Sequence, residues 1–292
     1  MSDKLSSLKE KLEKDRFVIT AELEPPKGTS IIKTIESLKF YKGIDGVNVT
    51  DNQRAIMRVS PIVISHILLE HEIEPICQFT CRDKNVLALQ SDLLGESILG
   101  VKNVVIMGGD QPKYGDHPNA KGVFEITAVG LLEIVKKLNS GYDLAGNKLE
   151  GNTNIFIGAV ANPGVVDMDI EISKFKAKVS AGAEFFQTQA VYDTERFKAF
   201  IERVEEFNTK IIAGIIPLKS AKMARFMNEK VPGIHVPEEM ILELEQNPNP
   251  IEKGIEQAVE IIKELKQISN GVHLMTIGRE ESLQEIISRI NL

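Results

Sequence analysis

The sequence predicts an α/β fold, a (β/α)8 barrel of the TIM type, as a single domain over residues 1–292. Three observations predict it. Eight short apolar runs alternate with stretches of helical periodicity. The runs are continuously apolar rather than alternating, which marks parallel strands covered on their outer face. No Gly-x-Gly-x-x-Gly follows any run, so the signature of an open dinucleotide-binding sheet is missing. Eight such units in one chain of this length suit a closed barrel, and no linker, repeat or low-complexity tract divides them.

The elements follow in order. Residues 3–14 make a charged amphipathic helix with leucines at Leu5, Leu8 and Leu12. The first strand, over 17–24, runs into Glu22 and Glu24 and stops at Pro25-Pro26, which supply no backbone donor. Two residues apart on a strand, the carboxylates share a face at its carboxyl end. Thr29 and Ser30 are placed to cap a helix carrying Ile31, Ile32, Ile35 and Leu38. A strand over 47–50 exits through Asp51-Asn52-Gln53, a helix covers 61–70, and a third strand covers 75–80. A helix over 85–100 places Val86, Leu89, Leu93 and Leu94 at helical spacing, and the strand over 102–107 is stopped by Gly108-Gly109-Asp110. A polar excursion fills 111–122, a helix 124–138 and a second polar insertion 140–153. The strand over 155–161 leaves through Asn162-Pro163-Gly164 into a helix over 169–180. Strand 184–189, helix 194–208 and strand 210–216 come next, the last stopped by Pro217. Helices around 220–228, 237–245 and 250–269 precede strand 271–275 and a closing helix over 280–290.

Composition narrows the function. A net charge of −7 and a pI near 5.5 argue against nucleic acid or an anionic membrane as partner. The start lacks an apolar signal core, and no apolar run approaches a membrane span, so a cytoplasmic location is expected. Cys77 and Cys81 are the sole cysteines; they read as thiols of a reducing compartment and lack the partners for a metal site.

In a barrel the carboxyl ends of the strands build the site. Here those exits carry Glu22 and Glu24, Thr50, Gln78 with Thr80, Gly108-Gly109-Asp110, Asn162, Gln189, Pro217 and Thr276. Two glycines before Asp110 let a planar ligand approach the backbone. Carboxylates at Glu22 and Asp110 with an amide at Gln189 suit a polar heterocycle with several ring nitrogens. A carboxyl at an apolar strand end is a candidate acid with a raised pKa, and a pair of solvated rim acids is the competing reading.

The motifs Ala21-Glu22-Leu23-Glu24-Pro25-Pro26, Val49-Thr50, Met107-Gly108-Gly109-Asp110, 178–183, Thr188-Gln189 and 213–217 occur in this order around the barrel. In these the chain resembles the methylenetetrahydrofolate reductase family from about residue 14 onward. The resemblance implies a flavin-dependent barrel that reduces 5,10-methylenetetrahydrofolate to 5-methyltetrahydrofolate. It implies FAD ahead of FMN, and electrons from NAD(P)H or from a companion subunit within an oligomer or complex. By position, Glu22 matches the general acid that protonates N10 as the five-membered ring opens to an iminium ion. Asp110 matches an aspartate beside flavin and pterin, and Gln189 a glutamine that contacts the pterin or the nicotinamide. Thr50 and Gly109 match flavin contacts, Lys178 a basic residue near the flavin phosphates, and Asn162 and Phe124 contacts to the ribityl or adenine part. Arg279 matches a substrate-side arginine.

Four positions depart from the family pattern. Glu24 replaces an aromatic, Gln78 a histidine on the flavin side, Gly108 an arginine beside the flavin, and Ala221 a phenylalanine that stacks on substrate. The chain thereby resembles a subset from acetogenic anaerobes that works with an electron-delivering subunit. Plainer readings stand beside these: Lys178 as a surface lysine, Phe124 and His273 as core residues, Thr50 as a turn cap, Gln53 and Arg54 as loop polarity. Two other functions remain open, a pterin-dependent methyltransferase and a non-catalytic flavin or folate subunit. The first needs a corrinoid partner or a zinc–thiolate acceptor, and the chain has no three-ligand Cys/His cluster.

Overall fold

The computed structural model describes residues 6–290. A short helix, α1 (Ser7–Glu13), precedes β1 (Val18–Leu23). Seven more strands follow: β2 (Gly46–Val49), β3 (Pro75–Thr80), β4 (Asn103–Met107), β5 (Phe156–Ala161), β6 (Phe185–Ala190), β7 (Lys210–Ile215) and β8 (Gly271–Leu274). Each pairs in parallel with the next, and β8 closes on β1. The helices that cover the barrel are α2 (Ile32–Ser37), α3 (Pro61–Glu70), α4 (Val86–Ile98), α5 (Ala128–Asn139), α6 (Met168–Ala181) and α7 (Thr194–Val204). After β7 come α8 (Ala221–Lys230), α9 (Glu238–Gln246) and α10 (Pro250–Leu265), and α11 (Glu281–Ile290) follows β8.

Three local expectations are corrected. The N-cap of α2 is Ile31, with no side-chain bond from Thr29 or Ser30, and Ile32 points to solvent. The helix expected over 124–138 begins only at Ala128, because the Thr127 hydroxyl accepts the Gly130 amide and caps it there. Phe124 lies in the connection before it, with a left-handed φ of +40°. The first helix starts after Ser6, whose hydroxyl accepts the Lys9 amide; Leu5 and the expected start at 3 lie outside the described residues.

The register sorts the strand residues into an inner and an outer wall, and the inner wall is layered. At its lower end Val18, Ile76, Val105, Phe156, Phe185 and Ile212 pack with Leu8 and Leu12 of α1, which plugs the barrel floor. The Phe156 and Phe185 rings stack at 4.6 Å, and a side chain on Gly158 would run into Phe185. Above this dry layer the wall turns polar. Asn48 and Gln187 exchange two amide hydrogen bonds of 2.6 and 3.0 Å. Gln187 also donates to the Thr20 hydroxyl at 3.3 Å, and that hydroxyl meets His273 Nδ1 at 2.9 Å. Burial pushes the His273 pKa down to about 3, so the ring is a neutral member of this network, as its plainer reading expected. Below the mouth, then, Thr20, Asn48, Gln187 and His273 are joined by hydrogen bonds to one another.

The outer wall holds one expensive group. Glu96 of α4 is fully buried beside Cys77 of β3, and neither carboxyl oxygen has a geometric hydrogen-bond partner. Burial pushes its pKa up to about 8 from an unfolded value near 4.5. The folded chain therefore holds this proton more tightly, and the stability that holding gives is lost as pH rises from about 4.5 to about 8. Glu96→Met is expected to change stability little at pH 5 and to raise it by about 2–4 kcal/mol at pH 8. Urea unfolding at the two pH values checks this, and an equal effect at both would contradict it.

Candidate active site

Glu22 is the penultimate residue of β1 and pairs in register with Asn48, so it faces the barrel axis one layer above the amide pair. Its Oε1 accepts a 2.9 Å hydrogen bond from Gln53 Nε2. Its Oε2 has no protein partner and keeps access to solvent. Burial raises its pKa to about 7; the Gln53 bond opposes this, the Glu24 charge adds to it and Arg54 lowers it. Glu24 itself is exposed and paired with Arg58 at 2.7 Å. The two carboxylates thus part company: one is a shielded acid, the other a rim ion pair.

The segment that brings Gln53 to Glu22 was read in the sequence as plain loop polarity. Asn52, Arg54 and Ala55 all have left-handed φ, at 45°, 55° and 56°. Such residues cost of order 1–3 kcal/mol each and persist only where surroundings hold them. The Asn52 carbonyl oxygen Oδ1 accepts the Arg58 amide at 2.8 Å, and Met57 N donates to Asp116 at 3.1 Å. Asp116 is in turn paired with Lys27, so the exits of β1, β2 and β4 are tied together. Gly115 lies so close to the Ala55 carbonyl that no side chain fits there.

A second group sits at the exits of β2, β3 and β4. Asp51 is buried and accepts from the Thr80 amide and hydroxyl at 2.9 and 2.8 Å; burial raises its pKa. Arg82 is 2% exposed and donates to both oxygens of Asp83 at 2.7 and 2.6 Å. Gly109 has φ +87°, and a Cβ there would lie 3.0 Å from Thr80 and 3.1 Å from Arg82, so glycine is required. Asp110 is exposed, and Arg82 lies near enough for their charges to interact. Arg82 places a guanidinium at the exit of the neighbouring strand. Sequence reasoning missed Asp51 and Arg82 because a polar strand exit looks the same whether it is solvated or buried.

The remaining predicted residues divide. Gln78 is on the inner wall, paired in register with Val105, and its amide bonds to no described residue. The Thr50 hydroxyl is buried and likewise without a partner, which contradicts a turn-capping role. Gln189 lies within an irregularity in the β6–β7 pairing and is half-buried, its Oε1 accepting the Ala190 amide at 3.0 Å. Phe124 is half-buried, and its amide donates to the Cys81 carbonyl at 3.1 Å.

Others are engaged by the protein. Asn162 donates to the Pro232 carbonyl and accepts from Gly164 N, tying the β5 exit to the loop after α8. Lys178 Nζ donates to the Val160 carbonyl at 2.5 Å from the helix layer, and burial lowers its pKa. Ala221, 9% exposed, is the first residue of α8. Arg279 pairs with Glu281 at 3.3 Å and borders a cavity of about 10 Å³ with Pro217, Leu218 and Thr276. A second cavity of about 20 Å³ lies among Pro163, Tyr192, Arg196 and His235. Each is water-sized, and neither lies between Glu22, Asp110 and Gln189. No group of His, Cys, Asp and Glu among the described residues is arranged to hold a metal.

The sequence model of the methylenetetrahydrofolate reductase family matches residues 7–291. The chain belongs to this family. Methylenetetrahydrofolate reductase 1 of Schizosaccharomyces pombe is 23% identical over 297 residues, covering 96% of this chain and 47% of the relative. Methylenetetrahydrofolate reductase (NADH) 1 of Arabidopsis thaliana is 26% identical over 75% of this chain and 38% of its own length. The chain therefore spans less than half the length of these reductases. Among solved structures, an uncharacterized protein from Clostridium thermocellum that binds two copies of 5-methyl-5,6,7,8-tetrahydrofolic acid has the same fold. Its TM-score is 0.67, with 22% identity over 98% of both chains.

Proposed function

We propose that the chain reduces 5,10-methylenetetrahydrofolate to 5-methyltetrahydrofolate, with Glu22 as the general acid. The observation that carries this reading is the Glu22 carboxyl, shielded at a strand end, with one oxygen held and the other free. A bound flavin would supply the hydride. Glu22 delivers its proton to N10 as the five-membered ring opens, a role that needs a carboxyl still protonated near neutral pH. Asp110 sets a negative charge opposite the iminium cation this creates. The Gln189 amide offers Nε2 to the pterin while its oxygen stays on Ala190.

Support for the ring end of a flavin comes from residues at the strand exits. The unpartnered Thr50 hydroxyl and Gln78 amide offer hydrogen bonds to its pyrimidine edge, and Gly108-Gly109 leave the backbone open to a flat ligand. The phosphate end gains less support, since Lys178 Nζ already serves Val160. FAD is favoured over FMN by the family resemblance alone. Ala221 itself offers no ring to a nicotinamide, which supports electron delivery by a companion subunit over direct NAD(P)H docking. Among the described residues no helix is long and apolar enough to cross a membrane.

Dialysis of the purified chain against FAD and against FMN tests the cofactor assignment. One flavin retained per chain is the expected result, with Thr50→Val and Gln78→Leu each weakening retention about tenfold. Failure to retain either flavin would contradict it.

A further inference from the structure

We propose that Gln53 is a positioning residue for Glu22: its amide, held out by the left-handed loop 52–55, fixes one carboxyl oxygen so that the proton travels on the other. The inference rests on the reading of Glu22 as an acid and goes beyond it, since Gln53 touches neither folate nor flavin in the proposed reaction. The geometry is direct. Gln53 Nε2 lies 2.9 Å from Glu22 Oε1, while Oε2 makes no protein bond and meets solvent. The loop offering this amide has three left-handed residues in four, and it is bound at both ends. Asn52 is tied to Arg58 and to Asp83, and Ala55 is pressed against Gly115. Strain concentrated in a segment that delivers a hydrogen bond to the half-buried Glu22 carboxyl points to that bond as its purpose.

The chemistry follows from what an amide N–H can do. It donates well to a carboxylate and poorly to a protonated oxygen, so it favours the state Glu22 reaches after giving up its proton. Burial alone would hold that proton too tightly. The other groups around Glu22 are Glu24, which opposes ionisation, Arg54, which favours it, and Tyr41, whose hydroxyl donates to the Glu22 backbone carbonyl and has Glu280 beside it. Among these, Gln53 makes the direct bond to the carboxyl.

The test is a ¹³C NMR titration of the carboxyl-labelled chain, with the Glu22 signal identified by its loss in Glu22→Gln. Gln53→Met, which keeps the size and removes the donor, is expected to move the Glu22 midpoint up by about one unit. Gln53→Lys, which keeps a donor and adds a cation, is expected to move it down. Thermal melts of both variants should stay near that of the parent, because the bond is at the rim. Opposite shifts support the positioning role, and they do so even if the parent fails to reduce methylenetetrahydrofolate, in which case only the proposed function falls. A Glu22 midpoint unmoved in Gln53→Met, or moved the same way in both variants, overturns the role whatever the activity.

Discussion

Glu22→Gln is expected to lower the reduction of methylenetetrahydrofolate by about 10²–10⁴-fold, the range of a lost general acid. The substitution keeps the shape of the side chain at the end of β1 and can still meet Gln53, so folding and ligand binding should be retained. What it removes is the proton that Glu22 would transfer. In the parent, the rate should fall as pH rises through about 7, because the acid must be protonated to act and burial holds its midpoint there. In Glu22→Gln this limb should vanish, leaving a low and nearly flat profile. Steady-state rates between pH 5.5 and 8.5 check both statements. A variant that turns over at the parent rate would favour a non-catalytic folate or flavin subunit instead.

The second large effect lies beneath the site. Gln187→Leu is expected to destabilise the chain by about 3–5 kcal/mol. The leucine fills similar space, but the fully buried Asn48 amide loses both of its Gln187 bonds and Thr20 loses one. Adding Asn48→Leu removes the stranded amide as well, so the double variant should recover more than half of the loss. Urea unfolding of the two single variants and the double gives the coupling. Additive losses would show that the two amides do not depend on each other and that the inner layer is not the bonded network described.

Much of the architecture was legible because parallel strands covered on both faces are written as unbroken apolar runs, and Pro25, Gly108 and Pro217 stop them where the ladders end. What was not legible is what register alone decides. Thr20, Asn48, Gln187 and His273 belong to four separate runs, and nothing local in any of them says that they meet. Phe124 was misplaced for a related reason. Its apolar spacing continues the helix pattern of α5, yet the Thr127 cap, a nearer signal, starts that helix only after it. At the site, Glu22 and Asp110 stood out because a charged side chain at the end of an apolar strand is conspicuous. Arg82 did not, since burial of a guanidinium depends on the Asp83 and Asp51 groups brought around it. The loop at 52–55 gave no warning at all, because left-handed backbone at Arg54 and Ala55 runs against the preferences of both residues. Lys178 shows the converse: a lysine that matched a phosphate contact by position is taken up by a strand carbonyl.

The central claim is that this chain couples a flavin held at the Thr50, Gln78 and Gly109 rim to protonation of folate by Glu22. Anaerobic stopped-flow mixing of the flavin-loaded, chemically reduced chain with methylenetetrahydrofolate tests it most directly. The account predicts that flavin absorbance returns as one equivalent of 5-methyltetrahydrofolate forms, and that the rate collapses in Glu22→Gln. Reduced flavin that stays bleached in the parent, or reoxidation equally fast in Glu22→Gln, would contradict it.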